Sequence, residues 1–195
     1  MSSTLDVPSH IQGLIFDCDG TLVDSMPLHM EAWKYVLENI GVTFDYDFFF
    51  SKKGMEETSI VRLFNSHSGV GLDPHEVVRA KHRYFRDHIN GTKPIAPVVD
   101  IARRYHTILP IAVASGGSRA NVVGQLEAVG ILDLFPTIVT ADDAVKPKPD
   151  PEIFLVTAAR MGILPQYCQV FEDGEAGLEA AQKAGMHPTD IRRYM

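Results

Sequence analysis

The 195-residue sequence predicts an α/β fold: a parallel sheet covered by helices on both faces, with a helical segment inserted after the first strand. Three observations carry this expectation. A short apolar run, Gly-Leu-Ile-Phe, leads straight into Asp17-Cys18-Asp19-Gly20. Residues 25–94 then show helical patterns and no convincing strand. Beyond Pro97 strands and helices alternate, and the strands are near-continuously apolar, as a sheet buried on both faces requires.

The first strand spans Ile11 to Asp17 and ends on the turn signal Asp-Gly. From about Met26 the period changes: Leu28, Ala32, Val36, Leu37 and Ile40 recur at helical spacing, and Gly41 is placed to stop the helix. A second helical pattern runs from Glu57 to Phe64 and closes on the polar cluster NSHSG. A third opens at Asp73-Pro74-His75-Glu76, with Asp as cap, Pro in the first turn and Glu three after the cap, and reaches about Ile89. The alternating half comprises a helix (Val98 to Tyr105), a strand (Pro110 to Ser115), a helix from near Ser118 to Gly130 and a strand (Thr137 to Thr140). It continues with a helix from Glu152 to Met161 stopped by Gly162, a strand (Gln169 to Glu172) and a helix ending near Gly185. An excursion of about seventy residues is too long for a simple connection and reads as a lid or small domain over a site.

Composition narrows the classes. The chain is 45% hydrophobic and 22% charged, an ordinary globular balance, and its formal net charge of -7 argues against a nucleic-acid or anionic-membrane surface. Cys18 and Cys168 lie far apart in buried-strand contexts and form no disulfide framework or metal motif, so a reducing cytoplasm is expected. The start MSSTLDVPSH is polar, and no stretch has the length of a membrane span. A monomer is expected.

Side chains two apart on a strand lean to the same side, so Asp17 and Asp19 are expected to crowd together. Like charges that close raise each other's pKa unless a positive group, usually a hard divalent cation, stands between them. In open parallel sheets ligands bind beyond the carboxyl ends of the strands. Here those ends carry Asp17 and Asp19, Ser115-Gly116-Gly117-Ser118, and Glu172-Asp173-Gly174, while Lys146-Pro147-Lys148-Pro149 precedes the helix at Glu152. Phosphoryl transfer suits this set. A nucleophilic carboxylate approaches an anionic ester when a cation and a lysine neutralise the repulsion and when hydroxyls and amides hold the oxygens. A second carboxyl protonates the leaving group and later activates water. Asp17 and Asp19 suit these two jobs.

Together, DCDGT, VASGGS, KPDPEIF and VFEDGEAG resemble, in order, the four motifs of the haloacid dehalogenase superfamily. The position of the insertion and the segment MPLHMEAW are similar to the β-phosphoglucomutase-like subfamily and its small sugar-phosphate phosphatases. This resemblance implies a Rossmann-like core of residues 1–24 and 95–195 with a helical cap of residues 25–94. It implies Mg²⁺ as cofactor and a small phosphorylated metabolite as substrate. Residue by residue, it makes Asp17 the nucleophile and Asp19 the general acid/base, whose backbone carbonyl also binds the metal. Thr21 falls close to the phosphate, and Ser115 with the Gly116 amide binds it. Glu172 and Asp173 form the acidic pair at the metal, with Asp173 the direct ligand. Lys148 is chosen over Lys146 because Lys-Pro-x-Pro-Glu-x-Phe then needs no insertion before Glu172-Asp173. Ser118 and Arg119 follow the second motif as candidate substrate contacts, and Gly174 stands where the family commonly has serine.

The mutases carry an arginine after a glycine in the cap loop for a second phosphate. The matching stretch here, Lys53-Gly54-Met55-Glu56-Glu57-Thr58-Ser59, offers glutamates, which would repel it, so hydrolysis is expected over mutase action. Lys52 or Lys53 is a candidate substrate contact, and His29 either touches substrate or orients Asp19. Trp33 and the Phe48-Phe49-Phe50 run read as cap core, and Cys18 as buried packing. A phosphoacceptor receiver module would share acidic strand ends, a hydroxyl and a lysine, but lacks a large insertion after the first strand.

Overall fold

The computed structural model describes residues 5–143 and 146–195. Strand β1 (Gly13–Phe16) is followed by a two-residue strand β2 (Val23–Asp24) and then by four helices: α1 (Met26–Asn39), α2 (Tyr46–Ser51), α3 (Glu57–Ser68) and α4 (Pro74–His88). A two-residue strand β3 (Lys93–Pro94) precedes α5 (Ala96–Tyr105), β4 (Ile111–Ala114), α6 (Arg119–Ala128), β5 (Thr137–Val139), α7 (Glu152–Met161), β6 (Cys168–Glu172), α8 (Glu175–Lys183) and β7 (His187–Asp190).

Five strands form one parallel sheet in the order β5-β4-β1-β6-β7, with Ile15 opposite Ala112 on one side and Val170 on the other. Alternation of side chains splits the core into two layers. Leu14, Phe16, Val113 and Phe171 pack with Val98, Val99 and Ala102 of α5 and Val122 and Leu126 of α6. Ile15, Ala114 and Val170 pack on the other face with Ile153, Phe154 and Ala158 of α7 and Ala180 and Ala181 of α8. The sheet is therefore buried on both faces. β1 lies between β4 and β6, so the chain leaves it towards both halves of the sheet, and the carboxyl ends of all three strands meet there.

The helical unit has its own core of Met30, Trp33, Leu37, Phe49, Ile60, Val61, Phe64 and Val77. Trp33 and Phe49 are buried as expected, but Phe50 is exposed. Asp73 caps α4 through the amides of His75 and Glu76, as its sequence predicts. The helix expected to end at Phe64 continues to Ser68, because its polar tail faces outward and Gly69, at φ 68°, supplies the left-handed stop. Helix α2, capped by Asp45, and strands β2, β3 and β7 were not expected from the sequence. β2 and β3 pair antiparallel, Val23 opposite Pro94 and Asp24 opposite Lys93, at the two ends of the insertion.

Candidate active site

Asp17 follows β1, and its amide still donates to Phe171 O at 3.0 Å, which carries the β1–β6 ladder one residue past the strand. Glu172 closes β6 and Asp173 follows it. One carboxylate oxygen from each of Asp17, Glu172 and Asp173 lies within 4.8 Å of the others. Lys148 Nζ donates to Asp17 Oδ1 and Glu172 Oε1, both at 2.7 Å, and to Ala114 O at 3.3 Å. Lys146 instead faces Asp150 at 3.6 Å.

Small residues make this packing possible. Gly20 turns the chain at φ 80°, and any Cβ there would meet the Asp173 carboxylate. Gly177 gives Glu172 its space in the same way. Thr21 donates to Asp173 Oδ1 at 3.3 Å, and the Gly174 amide donates to Glu172 Oε2 at 2.6 Å. Gly174 thus serves the site through its backbone.

Burial pushes the Asp17 carboxyl well above the usual carboxylate range, and the charges of Glu172 and Asp173 push the same way against Lys148. Burial, then the neighbouring Glu172, also raises Asp173. For Lys148 burial works against the charge, but Asp17 and Glu172 outweigh it and hold the ammonium more firmly than usual. One buried ammonium, Lys148, and the half-exposed Lys53 face three carboxylates, which leaves the group under-neutralised. Three converging hard oxygens with unmet negative charge fit a divalent cation.

Asp19 departs from the expectation of crowding: its carboxylate is not in the acidic group. β1 ends at Phe16, and the amides of Thr21, Leu22 and Val23 fold back on Cys18 O at 3.3, 3.0 and 3.0 Å, so strand alternation does not reach Asp19. Its Oδ1 accepts instead from Ser25 Oγ at 2.7 Å and pairs with His29 Nε2 at 2.9 Å. Ser25 precedes α1 and makes no side-chain cap bond to it. Burial alone would raise the Asp19 carboxyl, but the bonds from His29 and Ser25 override it and hold the group well below its ordinary range.

Ser115 is fully buried at the end of β4, and its Oγ accepts from the Gly117 amide at 3.1 Å, which leaves the hydroxyl proton for a ligand. A Cβ on Gly117 would stand 3.4 Å from Ser115 Oγ and 3.5 Å from Asp19 Oδ2, so these two groups face the same small space. The neighbouring Gly116 is exposed. Arg119 is engaged elsewhere: its Nη2 donates to Asp143 Oδ2 at 2.6 Å and to Ile138 O at 3.0 Å. The candidate contact from Arg119 to substrate is therefore replaced by an ion pair that ties α6 to the segment after β5. Ser118 precedes α6 and makes no side-chain bond to its first turn.

From the helical unit, His29 reaches the core as the partner of Asp19. The ammonium of Lys81 stands 2.6 Å from His29 Nδ1 and also binds Glu57 Oε1, while His82 binds the other Glu57 oxygen. An ammonium only donates, so Nδ1 accepts and Nε2 carries the proton that Asp19 receives. Lys81 and Glu57 were missed as partners of this chain. The signal was present: Lys81 sits four residues from both Val77 and Phe85, inside the buried stripe of α4, and is itself fully buried. The two glutamates of the cap loop are both engaged: Glu56 is exposed at the start of α3, and Glu57 is half-buried. Glu56 caps α3 through the amides of Thr58 and Ser59, and Glu57 is held by Lys81 and His82. Lys53 Nζ lies 3.7 Å from Asp173 Oδ2, whereas Lys52 lies over the Phe48 ring at 5.7 Å.

Comparison with known proteins agrees with this architecture. A family model for haloacid dehalogenase-like hydrolases matches residues 11–185. Among curated proteins, the fructose-1-phosphate phosphatase YqaB of Escherichia coli (strain K12) is 36% identical over 180 residues, covering 92% of this chain and 96% of that protein. The β-phosphoglucomutase of Bacillus subtilis (strain 168) is 30% identical over 188 residues, covering 93% and 83%. Among solved structures, β-phosphoglucomutase from Clostridium difficile aligns with a TM-score of 0.78 at 25% identity, covering 94% of this chain and 86% of that one. CbbY of Rhodobacter sphaeroides, solved with xylulose-(1,5)bisphosphate, aligns with a TM-score of 0.83 at 22% identity over 91% and 84%, a likeness of fold alone. Among the described residues no helix is long and apolar enough to cross a membrane.

Proposed function

The chain belongs to the haloacid dehalogenase-like hydrolases and is a phosphoric monoester hydrolase, and we propose that it hydrolyses small sugar or polyol phosphates with Mg²⁺, through an aspartyl-phosphate on Asp17. The observation that carries this reading is the sharing of Lys148 between Asp17 and Glu172 inside the acidic group. The lysine fixes one Asp17 oxygen, so the other is the one presented to phosphorus. Asp17, Glu172, Asp173 and the Asp19 carbonyl would hold the cation, whose charge draws a phosphate monoester against the carboxylates. Ser115 Oγ and the Gly116 amide would hold phosphate oxygens opposite it.

Asp19 takes the part of acid and base. Its bonds to His29 and Ser25 hold its pKa low and so favour the carboxylate, the form that accepts a proton from the attacking water; delivering a proton to the leaving oxygen requires it to be loaded first. YqaB's name, fructose-1-phosphate phosphatase, supports a phosphorylated sugar as the substrate class. A mutase must also retain a second phosphate. The stretch 52–59 contains no arginine, and Glu56 is bound into the start of α3, which favours hydrolysis. The test is turnover of a panel of sugar and polyol monophosphates with Mg²⁺, for the wild type and Asp17→Asn. Release of phosphate by the wild type and its loss in a folded Asp17→Asn is expected; wild-type rates in that variant would overturn the assignment.

A further inference from the structure

We propose that Lys53 is an electrostatic latch: it holds the helical unit on the acidic group through Asp173, an incoming divalent cation displaces it, and the released ammonium then meets the anionic ligand. The proposal rests on the reading of Asp17, Glu172 and Asp173 as a cation site.

Lys53 lies in the turn after α2, between Phe50 and Gly54. Phe49, one turn earlier, is buried in the core of the helical unit, so the turn is anchored there. The Lys53 ammonium passes over the Phe50 ring at 5.7 Å. Gly54 reverses the chain at φ 82° with nothing within 4 Å of a would-be Cβ, so glycine is needed for the turn and not for space. The side chain reaches across to Asp173 Oδ2 at 3.7 Å, where Lys53 is 36% exposed and Asp173 only 13%.

The charges decide what this contact does. Three carboxylates face two ammoniums, Lys148 and Lys53, leaving one net negative charge. Lys148 is buried with two short bonds and the Ala114 carbonyl, so it stays. Lys53 has one longer, half-exposed contact. A divalent cation bound through Asp173 would stand beside the same oxygen and repel the Lys53 ammonium, while with Lys148 it neutralises the three carboxylates in full. Cation in place and Lys53 on Asp173 are thus competing states. Once displaced, Lys53 is a flexible cation on a turn facing a site that has lost its negative charge, and a phosphate oxyanion becomes its partner. Cation and phosphate therefore bind with positive coupling through this one side chain.

The test is calorimetric titration of Mg²⁺ at low ionic strength, without phosphate, into the wild type, Lys53→Met, Lys53→Arg and Lys52→Met. A partly exposed ion pair predicts a gain in Mg²⁺ affinity of about two- to five-fold for Lys53→Met. Lys53→Arg should stay near wild type, and Lys52→Met, which removes the same charge from the same turn, should do so too. Titration of inorganic phosphate at saturating Mg²⁺ should then show weaker binding in Lys53→Met than in Lys52→Met. Equal Mg²⁺ affinity in Lys53→Met and Lys52→Met would overturn the latch, and unchanged phosphate affinity would overturn the release to ligand. Absence of Mg²⁺ binding in every protein would instead remove the cation site itself, and with it the reading on which the latch rests.

Discussion

Gly177, near the start of α8, lies so close to the Glu172 carboxylate that any side chain at 177 would occupy the same space. Glu172 is buried, and it holds both Lys148 and the Gly174 amide. Gly177→Ala should therefore push Glu172 off Lys148. Overpacking of this kind costs about 1–3 kcal/mol. Thermal unfolding should show that loss, and phosphatase turnover should fall by at least tenfold. A variant with wild-type rate and melting temperature would mean that the Glu172 position is not critical.

Lys148 and Lys146 are separated by one proline, and only the first reaches the acidic group. Lys148→Met leaves Asp17 and Glu172 buried without their counter-charge, a loss on the order of 3–5 kcal/mol for a broken buried pair. Turnover should disappear. Lys146, with its side chain 67% exposed, is paired with Asp150. Lys146→Met should stay within about 0.5 kcal/mol of wild type, as surface changes do. Denaturant unfolding of the two variants side by side separates them.

Glu57 carries a pH signature. Burial pushes its carboxyl up, but Lys81 and His82 outweigh that and hold it well below the ordinary glutamate value of 4.5. A lowered folded-state pKa gives stability that is present above the unfolded value and lost as pH falls below it. Stability measured from pH 7 to pH 3 should thus decline below about 4.5. Glu57→Gln should be destabilised at pH 7, by roughly 3 kcal/mol for an uncompensated buried ammonium at Lys81, and should lose less on acidification. Parallel curves for the two proteins would show that Glu57 does not support Lys81.

Chelation tests the acidic group directly. Treatment with EDTA should abolish hydrolysis of p-nitrophenyl phosphate and leave the circular dichroism spectrum unchanged. Mg²⁺ should restore the rate and raise the melting temperature, since a ligand at a hundred times its Kd adds about 2.7 kcal/mol. Undiminished turnover in EDTA would sink the cation's role.

The parts legible in the sequence are those with strong local signals. β1, β4 and β6 are fully buried, so they read as apolar runs, and α7 is bounded by Pro151 and Gly162, where the expected and observed ends coincide. β7 was illegible because it is an edge strand whose residues, His-Pro-Thr-Asp, are polar, exposed or half-exposed, and interrupted by proline. β2 and β3 are two residues each, and α2 is a single capped turn and a half, too short for a period to show. At the site, the strand ends put Asp17, Glu172 and Asp173 on one rim, and the resemblance to the family's motif chose Lys148 over Lys146. The Asp19 carboxylate stands beside the acidic group and not in it, because the chain leaves the strand at Phe16 before alternation reaches residue 19. The Lys81 link shows only in the spacing of Val77, Lys81 and Phe85, whereas the local signal that announces α4 is its cap at Asp73.

The paired strands β2 and β3 bring residues 24 and 93 into register, so about seventy residues depart and return through one narrow doorway. Because the two ends already touch, the length of what hangs between them adds little loop-closure entropy to the folding of the sheet. The helical unit can then be exchanged, enlarged or trimmed while the sheet is left alone. A chimera joined at residues 24 and 93 should inherit its selectivity from one parent and its chemistry from the other.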